Sequence, residues 1–215
     1  MCYHAQQTKT STEIQQRFNV SGEAQKGVFN GFSHPSLSVI TAEVPKELQS
    51  FSWGLIPYWS KEQDIRRFTL NAKLETLAEK PSFRQAKRCL VITDGFYEWQ
   101  WLDDKGKRKQ KHLIGLADQG LFAFAGLCDE WIDRTTGDVV NSFSIVTTAA
   151  QGIMQEIHNS KQRMPLTLTP DTEASWLAGE VPDPFYAFKA MPVNWMLKSY
   201  FFSIWLITFA KISLK

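Results

Sequence analysis

The chain has 215 residues, of which 43% are hydrophobic and 21% charged, with 15 Phe, 8 Trp and 5 Tyr. Such a chain buries a sizeable core in one domain or at most two, and with 12 Gly, 9 Pro and no internal repeat it is neither disordered, fibrous nor linker-dominated. Net charge is only +2 but unevenly spread: residues 61–88 carry eight Lys/Arg against four acids, 105–112 (KGKRKQKH) five against none, and 129–185 three against nine acids. A basic face of this kind suits a polyanion, although KGKRKQKH taken alone reads by default as a solvated hairpin loop.

In chain order, the N-terminal MCYHAQQTKTSTEIQQ is polar and lacks the apolar run of about 7 to 15 residues that a secretory signal needs. Cys2, Cys89 and Cys128 are scattered without CxxC spacing, which argues against a disulfide framework and a structural metal site and for the cytoplasm. Thr10 to Phe18 reads as a short helix capped by Ser11 or Thr12. VFNGFSHPSLSVIT and LQSFSWGLIPYW read as strands, the second ending at Pro57. Lys73 to Glu79 and Pro81 to Ala86 read as helical. RCLVITDGFYEWQWL is a β-run broken at Asp94-Gly95, followed by the basic hairpin and by the strands HLIGLA, LFAFAGLCDEW and NSFSIVTTAA. A late helix starts at Pro170. Without βαβ alternation or a GxGxxG loop, the fold class expected is α+β: one strand-rich domain with a largely antiparallel, barrel-like sheet and a few short helices.

Residues 194–215 form an atypical apolar tail. Lys198 and Lys211 leave about a dozen uninterrupted residues where a membrane span needs roughly 20, so a buried strand pair or an interfacial segment is expected rather than an anchor.

Several residues carry possible chemistry. A cysteine at position 2 is most often accidental, yet loss of Met1 would expose a 1,2-aminothiol. Its amine condenses with an aldehyde, and its thiol then closes a thiazolidine ring; the same group could instead attack an acyl carbon. Glu98, flanked by Tyr97 and Trp99, is either a carboxyl raised in pKa by burial and suited to proton transfer or an edge-strand residue facing water. His158 reads by default as a hydrogen-bonded structural histidine, Asn71 as a helix cap, and Trp53 and Trp59 as core residues or as platforms for bases.

Taken together, Cys2 after Met1, WGLIPYW, N-A-K-x-E-T at Asn71 to Thr76, RCLVITDGFYEW at Arg88 to Trp99, and IHNSKQRMP at Ile157 to Pro165 resemble the SRAP family, the SOS-response-associated abasic-site processing proteins. The resemblance spans roughly residues 2–193. It implies that Cys2 becomes covalently joined to the C1′ aldehyde of an abasic site in single-stranded DNA, and that Asn71 orients the N-terminal residue. It further implies that Glu98 and His158 move protons. Trp53, Pro57 and Trp59 resemble an aromatic region facing DNA, and Lys73 and Arg163 phosphate contacts. No cofactor and no metal are implied. A monomer is expected, cytoplasmic and nucleoid-associated when on DNA, with no membrane partner. A protease or amidohydrolase with an N-terminal nucleophile, removing its own Met1, is the alternative; a binding-only single-strand module is the third reading. The chain departs from the family at Tyr3-His4, where Gly-Arg is common, and at Lys73, where arginine is common.

Overall fold

In the computed structural model, which describes residues 1–185 and 187–193, the chain passes repeatedly between two sheets. β1 (His4–Gln7) leads into α1 (Ser11–Phe18). The cap of α1 is Thr10, one residue earlier than expected: its hydroxyl accepts from the Glu13 amide while the Glu13 carboxylate accepts from the Thr10 N–H. β2 (Gly27–Asn30), β3 (Ser36–Thr41) and β4 (Gln49–Trp53) follow. β4 stops at Trp53 rather than at Pro57, because Gly54 turns the chain with φ +112, where a β-carbon would lie 2.8 Å from the Arg66 carbonyl oxygen.

Asn71–Lys73, expected to open a helix, is β5, and only a single 3-10 turn, Leu74–Thr76, comes after it. Pro81 to Ala86 likewise forms turns and no helix. Both runs are too short to repay helix nucleation, and Leu74, Leu77, Phe83 and Ala86 pack against the core from turns instead. The β-run then divides as expected into β6 (Lys87–Thr93) and β7 (Gly95–Trp101), followed by β8 (Lys109–Gly115) and the two longest strands, β9 (Phe122–Ile132) and β10 (Val139–Ala149). α2 (Ile153–Ile157), β11 (Arg163–Pro165), β12 (Thr167–Leu168), α3 (Pro170–Leu177) and β13 (Lys189–Pro192) complete the described elements.

β10, β4, β3, β6 and β9 pair in sequence, and β9 pairs back onto β10, which closes a five-stranded ring. Only the β4–β10 contact in that ring is parallel. Closure leaves these strands without a free edge. The second sheet runs β13-β8-β7-β1-β2, antiparallel throughout. The expected α+β, strand-rich, barrel-like fold is therefore the one observed.

Strand alternation sorts the core. Cys89 and Val91 of β6 join Val39, Phe51, Trp53, Phe124, Phe143 and Ile145 in one cluster, which Ala5, Phe96 and Ile114 of the second sheet extend. Leu90 and Ile92 face the other way, where Ile14 of α1 and Trp176 of α3 cover the ring. At the step from β6 to β7, Asp94 Oδ2 accepts from the Thr8 amide (2.8 Å), the Thr8 hydroxyl (2.6 Å) and the Lys9 amide (3.1 Å), tying β1 to the crossover between sheets. The apolar tail expected to form a strand pair or interfacial segment lies outside the described residues. Among the described residues no helix is long and apolar enough to cross a membrane.

Candidate active site

The candidate site lies in the seam between ring and second sheet. β1 is flanked by β2 and β7, so the residues just before His4 are delivered to that seam. The Gly31 amide donates to the Tyr3 carbonyl (2.8 Å), and Asn71 Nδ2 donates to the Cys2 carbonyl (2.9 Å). Held from both sides, Cys2 is fully buried, and its thiol donates only a long bond of 3.7 Å to the His4 carbonyl.

Glu98, on the inward face of β7, and His158, just past α2, converge on the amino group of Met1. Glu98 Oε1 lies 3.6 Å from that nitrogen and His158 Nε2 lies 3.0 Å from it. Glu98 is 6% exposed and its Oε1 has no hydrogen-bond partner among the described residues. Burial disfavours the carboxylate, and although the nearby amine opposes the effect, the carboxyl is raised to about 7. Burial, and then the charge of the amine, push His158 down to about 4, so the ring is neutral at pH 7. Burial also lowers the amine below its ordinary value, despite the attraction of Glu98, and raises the Cys2 thiol far above the usual range.

The neutral ring has one N–H to place. Nε2 faces the Met1 nitrogen, while Nδ1 is bracketed by the Arg163 amide (3.1 Å), from which it can accept, and the Arg163 carbonyl (2.5 Å), to which it can donate. The amine thus sits between a carboxyl that titrates near neutrality and a neutral imidazole acceptor. That pairing is suited to taking and returning protons at a nitrogen.

Cys2, Asn71, Glu98 and His158, the four residues expected to be catalytic, are brought together. Asn71 caps no helix; it lies in β5 and holds the Cys2 carbonyl, while its Oδ1 is buried without a partner among the described residues. Lys73, two residues along β5 and on the same side of the strand, is exposed. Trp53 and Pro57, expected to face DNA, are both buried. The Trp53 ring stacks on Phe143 and donates its N–H to the Leu70 carbonyl (2.9 Å), because β4 turns that position into the ring. Trp59 is 41% exposed, on a loop anchored where Tyr58 meets Asp129 and Ser60 meets Trp131, near the end of β9 remote from Asn71. Arg163 borders the site through its backbone, but its guanidinium is engaged by Glu75. Sequence reasoning passed over Glu75; its signal was to be the one acid in the stretch 71–76.

The chain matches the SRAP, SOS response associated peptidase, family over residues 1–196. It is 37% identical over 186 residues to abasic site processing protein YoqW of Bacillus subtilis, covering 81% of this chain and 79% of that one. It is 30% identical over 198 residues to abasic site processing protein HMCES of Xenopus tropicalis, covering 80% of this chain and 57% of that one. A crystal structure of a protein from Bacteroides thetaiotaomicron superposes with a TM-score of 0.80 at 32% identity, covering 89% of this chain and 92% of the other. With its whole described length matched and its N-terminal cysteine set beside Asn71, Glu98 and His158, the chain belongs to the SRAP family.

Proposed function

We propose that this protein processes abasic sites by capturing them covalently in single-stranded DNA through Cys2 after loss of Met1. YoqW and HMCES, its relatives, are abasic site processing proteins by name. The observation that carries the reading is the amino group lodged between Glu98 and His158 beside a buried cysteine. With Met1 gone, Cys2 supplies both an amine and a thiol. The amine adds to the C1′ aldehyde of the ring-opened sugar, and the carbinolamine loses water to give an imine. The thiol sulfur then bonds to C1′ as the C=N double bond becomes single, and the thiol proton ends on nitrogen, closing a thiazolidine.

Each step moves a proton, and the residues divide the task. A carboxyl with a pKa of about 7 is present in both forms at neutral pH, so Glu98 can protonate the departing hydroxyl and then accept from the thiol. That second role matters because burial keeps the Cys2 thiol protonated. His158, neutral, accepts from the amine so that its lone pair is free to attack. Asn71 holds the Cys2 carbonyl and so aims the aminothiol. An imine at C1′ also acidifies the C2′ proton, and removal of that proton expels the 3′ phosphate, a lyase side reaction that ring closure suppresses.

The second reading, a peptidase that removes its own Met1, is favoured by the presence of the Met1 amine in the site. One experiment separates the two. A single-stranded oligonucleotide carrying one uracil, treated with uracil glycosylase, is mixed with the protein and run on a denaturing gel. A shifted band that survives heating is expected, absent for Cys2→Ala and for protein extended upstream of Cys2. A persistent band with a blocked N-terminus would contradict the mechanism, and peptide turnover without a band would favour the peptidase.

A further inference from the structure

Both terminal nitrogens of the Arg163 guanidinium are engaged inside the protein. Nη1 donates to Glu75 Oε1 (2.7 Å) and Nη2 to Glu75 Oε2 (2.9 Å), and Nη2 also reaches the Thr147 carbonyl (2.6 Å) and hydroxyl (3.2 Å). Its side chain is only 14% exposed. The main chain of the same residue faces His158, with the Arg163 amide 3.1 Å and the Arg163 carbonyl 2.5 Å from Nδ1. Arg163 therefore ties two things together: its side chain grips Glu75 while its backbone holds the imidazole.

Glu75 lies in the 3-10 turn that follows β5, four residues after Asn71. β5 and β11 lie on either side of β10, with Lys73 and Pro165 both opposite Thr147. The Glu75–Arg163 pair thus crosses β10 and bolts the segment that holds Cys2 to the segment that orients His158. A two-pronged guanidinium–carboxylate pair fixes direction as well as distance, which a point-charge contact does not. The hydrogen bonds from Arg163 also lower the Glu75 carboxyl below its ordinary value, keeping it ionised at neutral pH.

We propose that Glu75 is a positioning residue that, by fixing Arg163, sets the orientation and tautomer of the His158 ring at the N-terminal amine. It touches none of the reacting atoms. The inference rests on the reading of the site given above, in which His158 accepts a proton from that amine. Glu75 is half-exposed, and an ion pair of this kind adds little to folding stability. Its loss is therefore expected to act on the ring rather than on the fold.

Glu75→Gln keeps the shape but turns an N–H₂ toward the guanidinium, which breaks the fork. Cross-linking at saturating single-stranded abasic DNA is expected to slow about 10- to 100-fold, as small misplacements of reacting groups do. The DNA concentration giving half the maximal rate should stay the same or fall, since a negative charge has been removed, and the unfolding midpoint should not move. Glu75→Asp, which keeps the charge, should recover part of the rate. The readout specific to positioning is ¹⁵N NMR of the His158 ring, assigned by comparison with His158→Gln. The wild-type ring nitrogens should be widely split, one protonated and one not, and should move toward a common value in Glu75→Gln. A wild-type rate with an unchanged splitting would overturn the proposal. So would a weakened half-saturation with an unchanged maximal rate, which would make the pair a DNA-binding element. If the wild-type protein forms no adduct, the reading of the reaction falls, and the ring nitrogens still decide whether Glu75 positions His158.

Discussion

The inside of the ring and the seam beside it are built from the same strands but satisfy their polar groups differently. In the ring, the Trp53 indole N–H finds the Leu70 carbonyl while its rings pack on Phe143 and Gly31. In the seam, Asn71 Oδ1, Glu98 Oε1 and His112 Nδ1 are buried without a partner among the described residues. A buried polar atom left unpaired costs stability, and it is tolerated where another group is meant to arrive. On the proposed reading the ring holds shape and the seam receives the abasic site, so substitutions in the two regions should fail in opposite ways.

The largest effect is expected in the seam. Glu98→Gln keeps both nucleophilic atoms of Cys2 and most of the shape while removing the proton carrier, so cross-linking should slow by about 10² to 10⁴ in a single-turnover assay. The adduct should have unchanged heat stability, and the protein should lose no folding stability. A wild-type rate would make Glu98 a packing residue and leave His158 to carry the proton.

Trp53→Ala is the opposite case. It empties a large volume inside the ring and orphans the Leu70 carbonyl, and denaturant unfolding should register a loss of about 3 to 5 kcal/mol. Whatever fraction remains folded should cross-link at the wild-type rate. A cross-linking defect without a stability loss would put Trp53 back among the DNA-facing residues.

The pH dependence of stability sharpens the contrast. The folded Glu98 carboxyl titrates near 7, above its ordinary 4.5, so its protonated form favours the fold at low pH and that contribution is lost as pH rises from about 4.5 to 7. His158 behaves oppositely: it titrates near 4 against an ordinary 6.5, so its contribution is lost as pH falls from about 6.5 to 4. The two nearly cancel across the shared window. Urea unfolding of Glu98→Gln should therefore show stability rising with pH between 4 and 6.5, and His158→Gln should show it falling between 4.5 and 7. Parallel profiles in the two variants would mean that these groups do not titrate as assigned.

The smallest effect concerns the basic hairpin. Its tip is organised by Asp103, which accepts from the amides of Lys105, Lys107 and Arg108, and Lys109 and Lys111 lie over Trp101 and Tyr97. If the hairpin tracks the DNA backbone, reversing the charge at Lys107, Arg108 and Lys109 should flatten the salt dependence of single-strand binding by about 0.7 log units for each phosphate no longer neutralised. An unchanged slope would make KGKRKQKH a solvated turn.

What the sequence disclosed follows the range of the interactions involved. β9 and β10 were legible because LFAFAGLCDEW is largely apolar and NSFSIVTTAA is rich in β-branched and aromatic residues, patterns that need no distant partner to be read as strands. The strand at Asn71 was not, because only its pairing with β10, more than seventy residues later, makes it one. The same limit hid the exchange of a helix cap for a hydrogen bond from Asn71 to the Cys2 carbonyl, and the capture of Arg163 by Glu75. Trp53 and Trp59 look alike in WGLIPYW, yet one is interior and the other exposed, because strand pairing ends between them. The four residues that meet in the seam were found through the combination of motifs, since each of them alone has an ordinary structural explanation.

The most direct test of the account is the intact mass of the species formed with single-stranded abasic DNA. Capture by the Cys2 aminothiol predicts the mass of the chain lacking Met1 plus that of the oligonucleotide less one water, unchanged by borohydride because the ring has already closed. An adduct that retains Met1, or a heat-stable adduct of the same kind formed by Cys2→Ala, would contradict it.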